Sequence, residues 1–220
     1  VIVEIGCGLG RTLAAFNSLD SEFLSKISYF GVDIKQENVQ GILKYAEEKR
    51  ISCKFKEFNA GLQFDKKADI CIFANVIHEI PRKCLVSELK KYLGYLKQGG
   101  KALILECLEL PVGEKDYVVF DFSALKLLFD KSLHNGSLSI KQATPKTYTG
   151  IPLMNAVITV NSPDSIEIQD SDLIVALQNI VKSECKKLNE HFSEKTILSS
   201  RAFAHTTHNL AHAQMALLYL

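Results

Sequence analysis

The residues best placed to do chemistry stand at the start of the chain, in VIVEIGCGLG, where Glu4 precedes three glycines at every second position, Gly6, Gly8 and Gly10. Glycine has no Cβ, so a loop with this spacing takes positive φ and brings its backbone N–H groups close to a polar ligand. Residues 1–5 are a β-rich apolar run that suits a buried parallel strand, and residues 11–16 read as the first turns of a helix. The loop therefore sits at a helix N-terminus. Farther on, His78 is the one side chain in the stretch ADICIFANVIHEI able to accept a proton near neutral pH.

Spacing separates the ligands such a loop can serve. A dinucleotide loop, GxGxxG, wants its third glycine at position 11, where this chain has Arg11. The pattern here, an acid, any residue, then GxGxG, resembles motif I of the class I methyltransferases that use S-adenosylmethionine. That cofactor carries an amino group and a sulfonium but no phosphate, so a carboxylate beside the loop suits it. The resemblance implies S-adenosylmethionine as cofactor, with Glu4, Gly6, Gly8 and Gly10 at its binding site.

Three further parts of the chain fit the same family. YFGVDI, residues 29–34, is a strand that ends in an acid, Asp33, a little over twenty residues past the loop. A nucleotide-binding α/β fold needs a carboxylate there to accept bonds from ribose hydroxyls, and the resemblance places Asp33 and its neighbour Ile34 at the cofactor. ISCKFKEFNA alternates as a third strand and ends at Phe58, Asn59 and Ala60. The family usually has an acid where Asn59 stands, reaching the adenine amino group; an amide carbonyl can accept the same bond. Asn59 and Ala60 are thus expected at the cofactor, with a plain turn as the alternative.

The third part is residues 70–74, a wholly apolar run suited to a central strand, stopped by Asn75. Ligands of open α/β sheets lie outside the carboxyl ends of the strands, so residues 75–79 are expected to line the pocket, Asn75 at the cofactor and His78 as a catalytic base. A histidine packed at the strand exit is the other reading of His78. The stretch looks like the family's fourth motif in enzymes that act on small molecules. It has neither the ProPro-aromatic run of the DNA amino-methylating enzymes nor the ProCys nucleophile of the cytosine carbon-5 enzymes.

Around these residues the elements alternate. Residues 35–50 form an amphipathic helix, residues 84–96 another, closed by Gly99 and Gly100 as a C-cap and turn, and KALILE follows as strand five. This alternation predicts parallel pairing with right-handed crossovers. Residues 120–133 read as a helix, and LSIKQATP and LMNAVITV as two strands separated by the loop KTYTGIP, the last inserted antiparallel. The expected fold is α/β, a doubly wound, mostly parallel seven-stranded Rossmann-like sheet.

NSPDS marks a boundary, giving a transferase domain at 1–161 and a helical segment at 162–220 that packs on the core or on a partner. In that segment His205, His208 and His212 share one helical face. A polar stripe at a helix interface is expected rather than a metal site, since no acid or Cys stands among them.

With 220 residues, 47% hydrophobic, the chain can bury one full core and a small appendage. A net charge of +1 gives no basic face for nucleic acid or a membrane surface, and no transmembrane run is present. Six widely spaced Cys favour thiols in a reducing compartment, hence the cytoplasm. The chain starts without Met on a core strand and stops in ALLYL, so it is expected to be a piece of a longer protein. The resemblance implies methyl transfer to a small-molecule acceptor. A catalytically silent binding or scaffolding module is the alternative, and a nicotinamide dehydrogenase, disfavoured by Arg11, the third reading.

Overall fold

Runs of Val, Ile and Phe become strands here because helices cover them, and the helices form because their apolar residues recur on one face. A computed structural model describes residues 1–16, 19–34, 39–48, 51–57, 67–109, 117–143, 146–148 and 151–220. The first elements are β1 (Ile2–Ile5), α1 (Arg11–Ala15), α2 (Ser21–Ser25), β2 (Ser28–Asp33), α3 (Val39–Glu48), β3 (Ser52–Glu57) and β4 (Ala68–Ala74). A 3-10 turn, Ile77–Glu79, then leads into α4 (Arg82–Gly94) and β5 (Leu96–Cys107). Next come α5 (Phe122–Leu128), α6 (Asp130–His134), β6 (Leu138–Gln142), β7 (Lys146–Tyr148) and β8 (Ile151–Val160). Two long helices, α7 (Asp170–Phe192) and α8 (Ser200–Tyr219), complete the order.

The strands lie in the order β3-β2-β1-β4-β5-β8-β6. The first five are parallel, and β8 is antiparallel to both β5 and β6, as expected for the last strand. The seven-strand path agrees with the sequence; the eighth strand, β7, is a three-residue piece that pairs with the start of β8, inside the stretch expected to be loop. From β1 the chain moves one way to β2 and β3, then back past β1 to β4. This reversal opens a crevice at the carboxyl ends of β1 and β4, where ligands of open α/β sheets bind. The register keeps those ends level, with Ile5 opposite both Val32 and Phe73.

Alternation along the strands divides the apolar residues between two cores. Val3, Ile5 and Phe73 join Leu85, Leu89 and Tyr92 of α4 and Leu125 and Leu128 of α5. Leu13 of α1, Tyr29 of β2 and Ala46 of α3 form a smaller cluster, against which Ile2 packs.

Two local expectations change. Gly99 and Gly100 lie within β5 rather than at the helix end: α4 stops at Gly94, Leu96 already pairs with Ala68, and the next pair is Ile70 with Lys101. The glycines absorb that slip, Gly99 at φ +77° and Gly100 so close to its own turn that a Cβ would stand 2.8 Å from the Lys97 carbonyl oxygen. The helix at 120–133 is broken at the buried Phe129 into α5 and α6.

The terminal helices are part of the same packing. Leu173, Ala176, Leu177 and Ile180, spaced along one face of α7, belong to the larger core, as does Ala213 of α8. Leu177→Ala should therefore lower global stability by about 2–5 kcal/mol, with one cooperative urea transition followed by circular dichroism. An unchanged main transition would show α7 to be an independent appendage.

Candidate active site at the glycine loop

β1 runs into the loop because three glycines accept a backbone that other residues resist: φ is +66° at Gly6, +48° at Gly8 and +76° at Gly10. At Gly6 space adds a second constraint, since a Cβ would stand 2.4 Å from Val76 Cγ2. Gly8 has nothing within 4 Å of a Cβ position and faces open space. The loop folds over the end of β2, where Gly6 N and Cys7 N donate to the Val32 carbonyl oxygen at 2.7 and 3.1 Å. Gly8 N donates to Asp33 Oδ2 at 2.7 Å, so the acid expected at a sugar also fixes the loop backbone. Gly10 caps α1 in the left-handed conformation.

Glu4 lies beneath this loop, 2% exposed. Its Oε1 accepts from Thr12 Oγ1 at 2.6 Å, and its Oε2 accepts from the Tyr29 hydroxyl. Burial raises its carboxyl above the ordinary glutamate range, the bonds from Thr12 and Tyr29 pull it back, and the Asp33 charge pushes it up again. Neither Thr12 nor Tyr29 was singled out in the sequence. Thr12 carries a legible signal, a hydroxyl in the first helical turn after a buried acid, but the partnership depends on the loop's path.

The far wall is the turn after β4. Asn75 adopts φ +53°, its N–H donates to the Leu105 carbonyl oxygen at 2.7 Å, and its Oδ1 accepts from Cys107 N at 2.8 Å. Asn75 thus clamps β4 to β5 at their carboxyl ends. Glu106, 1% exposed, does the same from the opposite sheet face: Oε1 accepts from Val76 N at 3.0 Å and Ile77 N at 2.7 Å, and Oε2 lies 2.5 Å from His78 Nδ1. Arg82 donates to the His78 carbonyl oxygen at 2.9 Å.

These surfaces enclose a cavity of about 760 Å³, within the range of small-molecule sites. Glu4, Gly6, Gly8, Arg11, Thr12 and Asn75 line it with the apolar Leu9, Leu105 and Leu153. The expectation that residues 75–79 would face the pocket holds for Asn75 alone among its described lining residues. His78 is turned inward, 3% exposed, bound to Glu106 and edge-on to Tyr117 at 5.5 Å. The short 3-10 turn, held by its two amides, points the ring toward β5. Asp33 is 7% exposed at the loop, and Ile34 beside it is 63% exposed. Asn59 and Ala60 lie outside the described residues. The sequence reading missed Arg11 as a lining residue and Glu106 as the fastener of the far wall; Glu106 ends the LILE run, which alone says nothing of what it faces.

Of the three histidines of α8, His205 is buried and the rings of His208 and His212 lie 4.2 Å apart, tilted by 46°. No group of three or more His, Cys, Asp or Glu able to hold a metal ion occurs among the described residues.

Residues 3–102 match the family described as a methyltransferase domain. The chain is similar to a solved S-adenosylmethionine-dependent methyltransferase from Clostridium acetobutylicum ATCC 824, with 12% identity and a TM-score of 0.54 over 73% of this chain and 84% of that one. It is also similar to magnesium protoporphyrin IX methyltransferase from Synechocystis PCC 6803 with bound SAH, at 13% identity and a TM-score of 0.51 over 73% and 74% of the two chains. A third similar structure is the CMeT domain of citrinin polyketide synthase, at 18% identity and a TM-score of 0.55, over 73% of this chain and 46% of that one. At these identities the likeness is one of fold. No protein of curated function matches the chain.

Two outcomes follow from the loop geometry. Gly8→Ala should cost about 1–2 kcal/mol, the strain of a left-handed residue, whereas Gly6→Ala should add about 1–3 kcal/mol of overpacking against Val76; urea unfolding of both variants measures the difference, and equal losses would remove the Val76 contact from the account. The raised carboxyl of Glu4 makes the folded state hold its proton more tightly than the unfolded chain, so this contribution to stability falls as pH rises from the ordinary glutamate range through the raised value. Unfolding free energies measured across that window should move in favour of Glu4→Gln relative to the parent as pH rises; the opposite slope would contradict it.

Proposed function

We propose that the chain is a class I S-adenosylmethionine-dependent methyltransferase that moves the methyl group of S-adenosylmethionine to a small-molecule acceptor by in-line displacement, a reading supported by the methyltransferase-domain match over residues 3–102 and by the shared fold. The observation that carries the reading is the glycine loop, fastened by Gly8 N to Asp33 at the end of β2 and bordering a cavity of about 760 Å³. The residues present suit the cofactor. Gly8 leaves open the space that a Cβ would take, and two buried carboxylates, Glu4 and Asp33, stand beneath the loop for an amino group and two hydroxyls.

When bound, S-adenosylmethionine supplies a methyl group already activated by its sulfonium. The chain's own residues hold and orient. Asp33 accepts the ribose hydroxyls, and the exposed Ile34 offers an apolar surface to the adenine. Arg11, a cation in the lining, faces the carboxylate end, and the buried charge of Glu4 favours the amino group and sulfonium. Asn59 and Ala60 are proposed to reach the adenine edge. Asn75 fixes the wall between cofactor and acceptor, while Leu9, Leu105 and Leu153 keep water away from the reacting atoms. Holding two reactants in line in this way supplies about 7–11 kcal/mol of the barrier reduction.

Buried against Glu106, His78 serves by its position: the pair holds the turn after β4, and the reaction needs no base where the acceptor arrives with its lone pair free. We assign the transferase site to residues 1–161 and the role of buttress to the helices within 162–220. No helix among the described residues is long and apolar enough to cross a membrane, and Cys7, Cys71, Cys84, Cys107 and Cys185 are thiols, which supports a reducing compartment such as the cytoplasm.

Isothermal titration with S-adenosylmethionine tests the reading. Saturable micromolar binding is expected, with Asp33→Ala weaker by about tenfold or more, the loss of hydrogen bonds to a charged acceptor. Absence of heat at high micromolar cofactor would support the silent module instead, and unchanged affinity in Asp33→Ala would remove Asp33 from the site.

A further inference from the structure

The glycine-loop cavity uses neither α7 nor α8, yet these two helices bury several polar groups together. Glu184 of α7 is 4% exposed and Asn209 of α8 is 3% exposed. Glu184 Oε1 accepts from Asn209 Nδ2 and from Lys187 Nζ, each at 3.1 Å. Asn209 Oδ1 in turn accepts from Val119 N at 2.9 Å, tying α8 to the segment before α5. Glu184 Oε2 is different: it is buried and has no hydrogen-bond partner among the described residues. A carboxylate oxygen only accepts, and leaving a buried one unmet costs about 1–3 kcal/mol or more.

Glu184 lines a cavity of about 140 Å³ that shares none of its described lining residues with the glycine-loop cavity. Asp121 lines it too, with Oδ1 already used to cap α5 through Ala124 N at 2.8 Å. With Lys187 on the rim, two carboxylates and one ammonium leave a formal charge of −1 at the cavity. His205, also in the lining, adds no positive charge at neutral pH: burial first, then the charges of Lys187, His208 and Arg201, push its pKa down to about 4. Leu108 and Ile180 give the cavity an apolar side.

We infer that this cavity between α7, α8 and the start of α5 binds an organic ammonium group. A monocation brings the lining to neutrality, its N–H groups supply the donor that Glu184 Oε2 lacks, and a short alkyl part rests on Leu108 and Ile180. The space exceeds the roughly 30 Å³ share of one water several times over. A metal ion fits less well, since the described residues bring together no set of three metal-binding side chains. The ammonium belongs either to the methyl acceptor or to a free amine that binds apart from the reaction, and the inference stands whether or not the chain transfers methyl groups.

Titration of the isotopically labelled chain with n-propylammonium chloride, followed by amide NMR, tests this against potassium chloride at equal ionic strength. Saturable shifts of Val119 and of the Asn209 side-chain amide are expected with the amine alone. Glu184→Gln, which keeps the carbonyl acceptor for Asn209, should bind at least about tenfold more weakly. Asp121→Asn, which still caps α5, should also bind more weakly and serves should Glu184→Gln fail to fold. No saturable shift, or equal affinity in the variants, would leave the cavity with water only and overturn the inference. Isothermal titration with S-adenosylmethionine, with and without saturating amine, distinguishes the sources: a changed cofactor affinity marks an acceptor subsite, and unchanged affinity with the same saturable shifts marks a separate amine site.

Discussion

The hydrogen bond from Gly8 N to the Asp33 carboxylate is the constraint on which the site depends. It joins a loop that emerges from one strand to a side chain that ends the next, and it is possible only because the register sets Ile5 beside Val32, so that both strands stop at one level. The Val32 carbonyl oxygen takes two further loop amides. On the other side the loop touches Val76, where no Cβ fits. A backbone pinned from three directions offers the same surface to every incoming ligand, which removes an ordering cost that a mobile loop would carry.

Charge is managed with equal economy. Glu4 and Asp33 stand near each other under one loop, an arrangement that costs free energy through burial and mutual repulsion. Hydroxyl donors offset part of that cost at Glu4 without introducing a cation, and a backbone amide does so at Asp33. An Arg or Lys in place of Thr12 or Tyr29 would have set a cation directly against these carboxylates.

The other wall is built by different means. Asn75 and Glu106, from opposite faces of the sheet, both fasten the turn after β4 to the end of β5. Arg82 extends the fastening, donating to the His78 carbonyl oxygen and lying over the Phe120 ring at 5.6 Å, while Asn209 reaches Val119 from α8. The helices beyond the sheet are thereby coupled, through one short segment, to the edge where ligands bind. Their apolar faces share the larger core, so the two terminal helices support the site although neither is among the described lining of the glycine-loop cavity.

Local signals determined the strands, the glycine loop, the acid after β2 and the order of elements, because alternation, missing Cβ atoms and short polar stops are properties of neighbouring residues. The same signals gave Asn75 its place at a strand exit. What His78 faces was decided by tertiary structure: a residue from a strand far along the chain, Glu106, supplies both the bond to its ring and the bonds that shape its turn. Likewise Gly99 and Gly100 look like a helix cap until pairing of Leu96 with Ala68 claims the residues before them for the sheet. The two terminal helices read as an appendage for the same reason, since an apolar stripe specifies that a helix is buried and leaves its partner to the packing of the whole molecule.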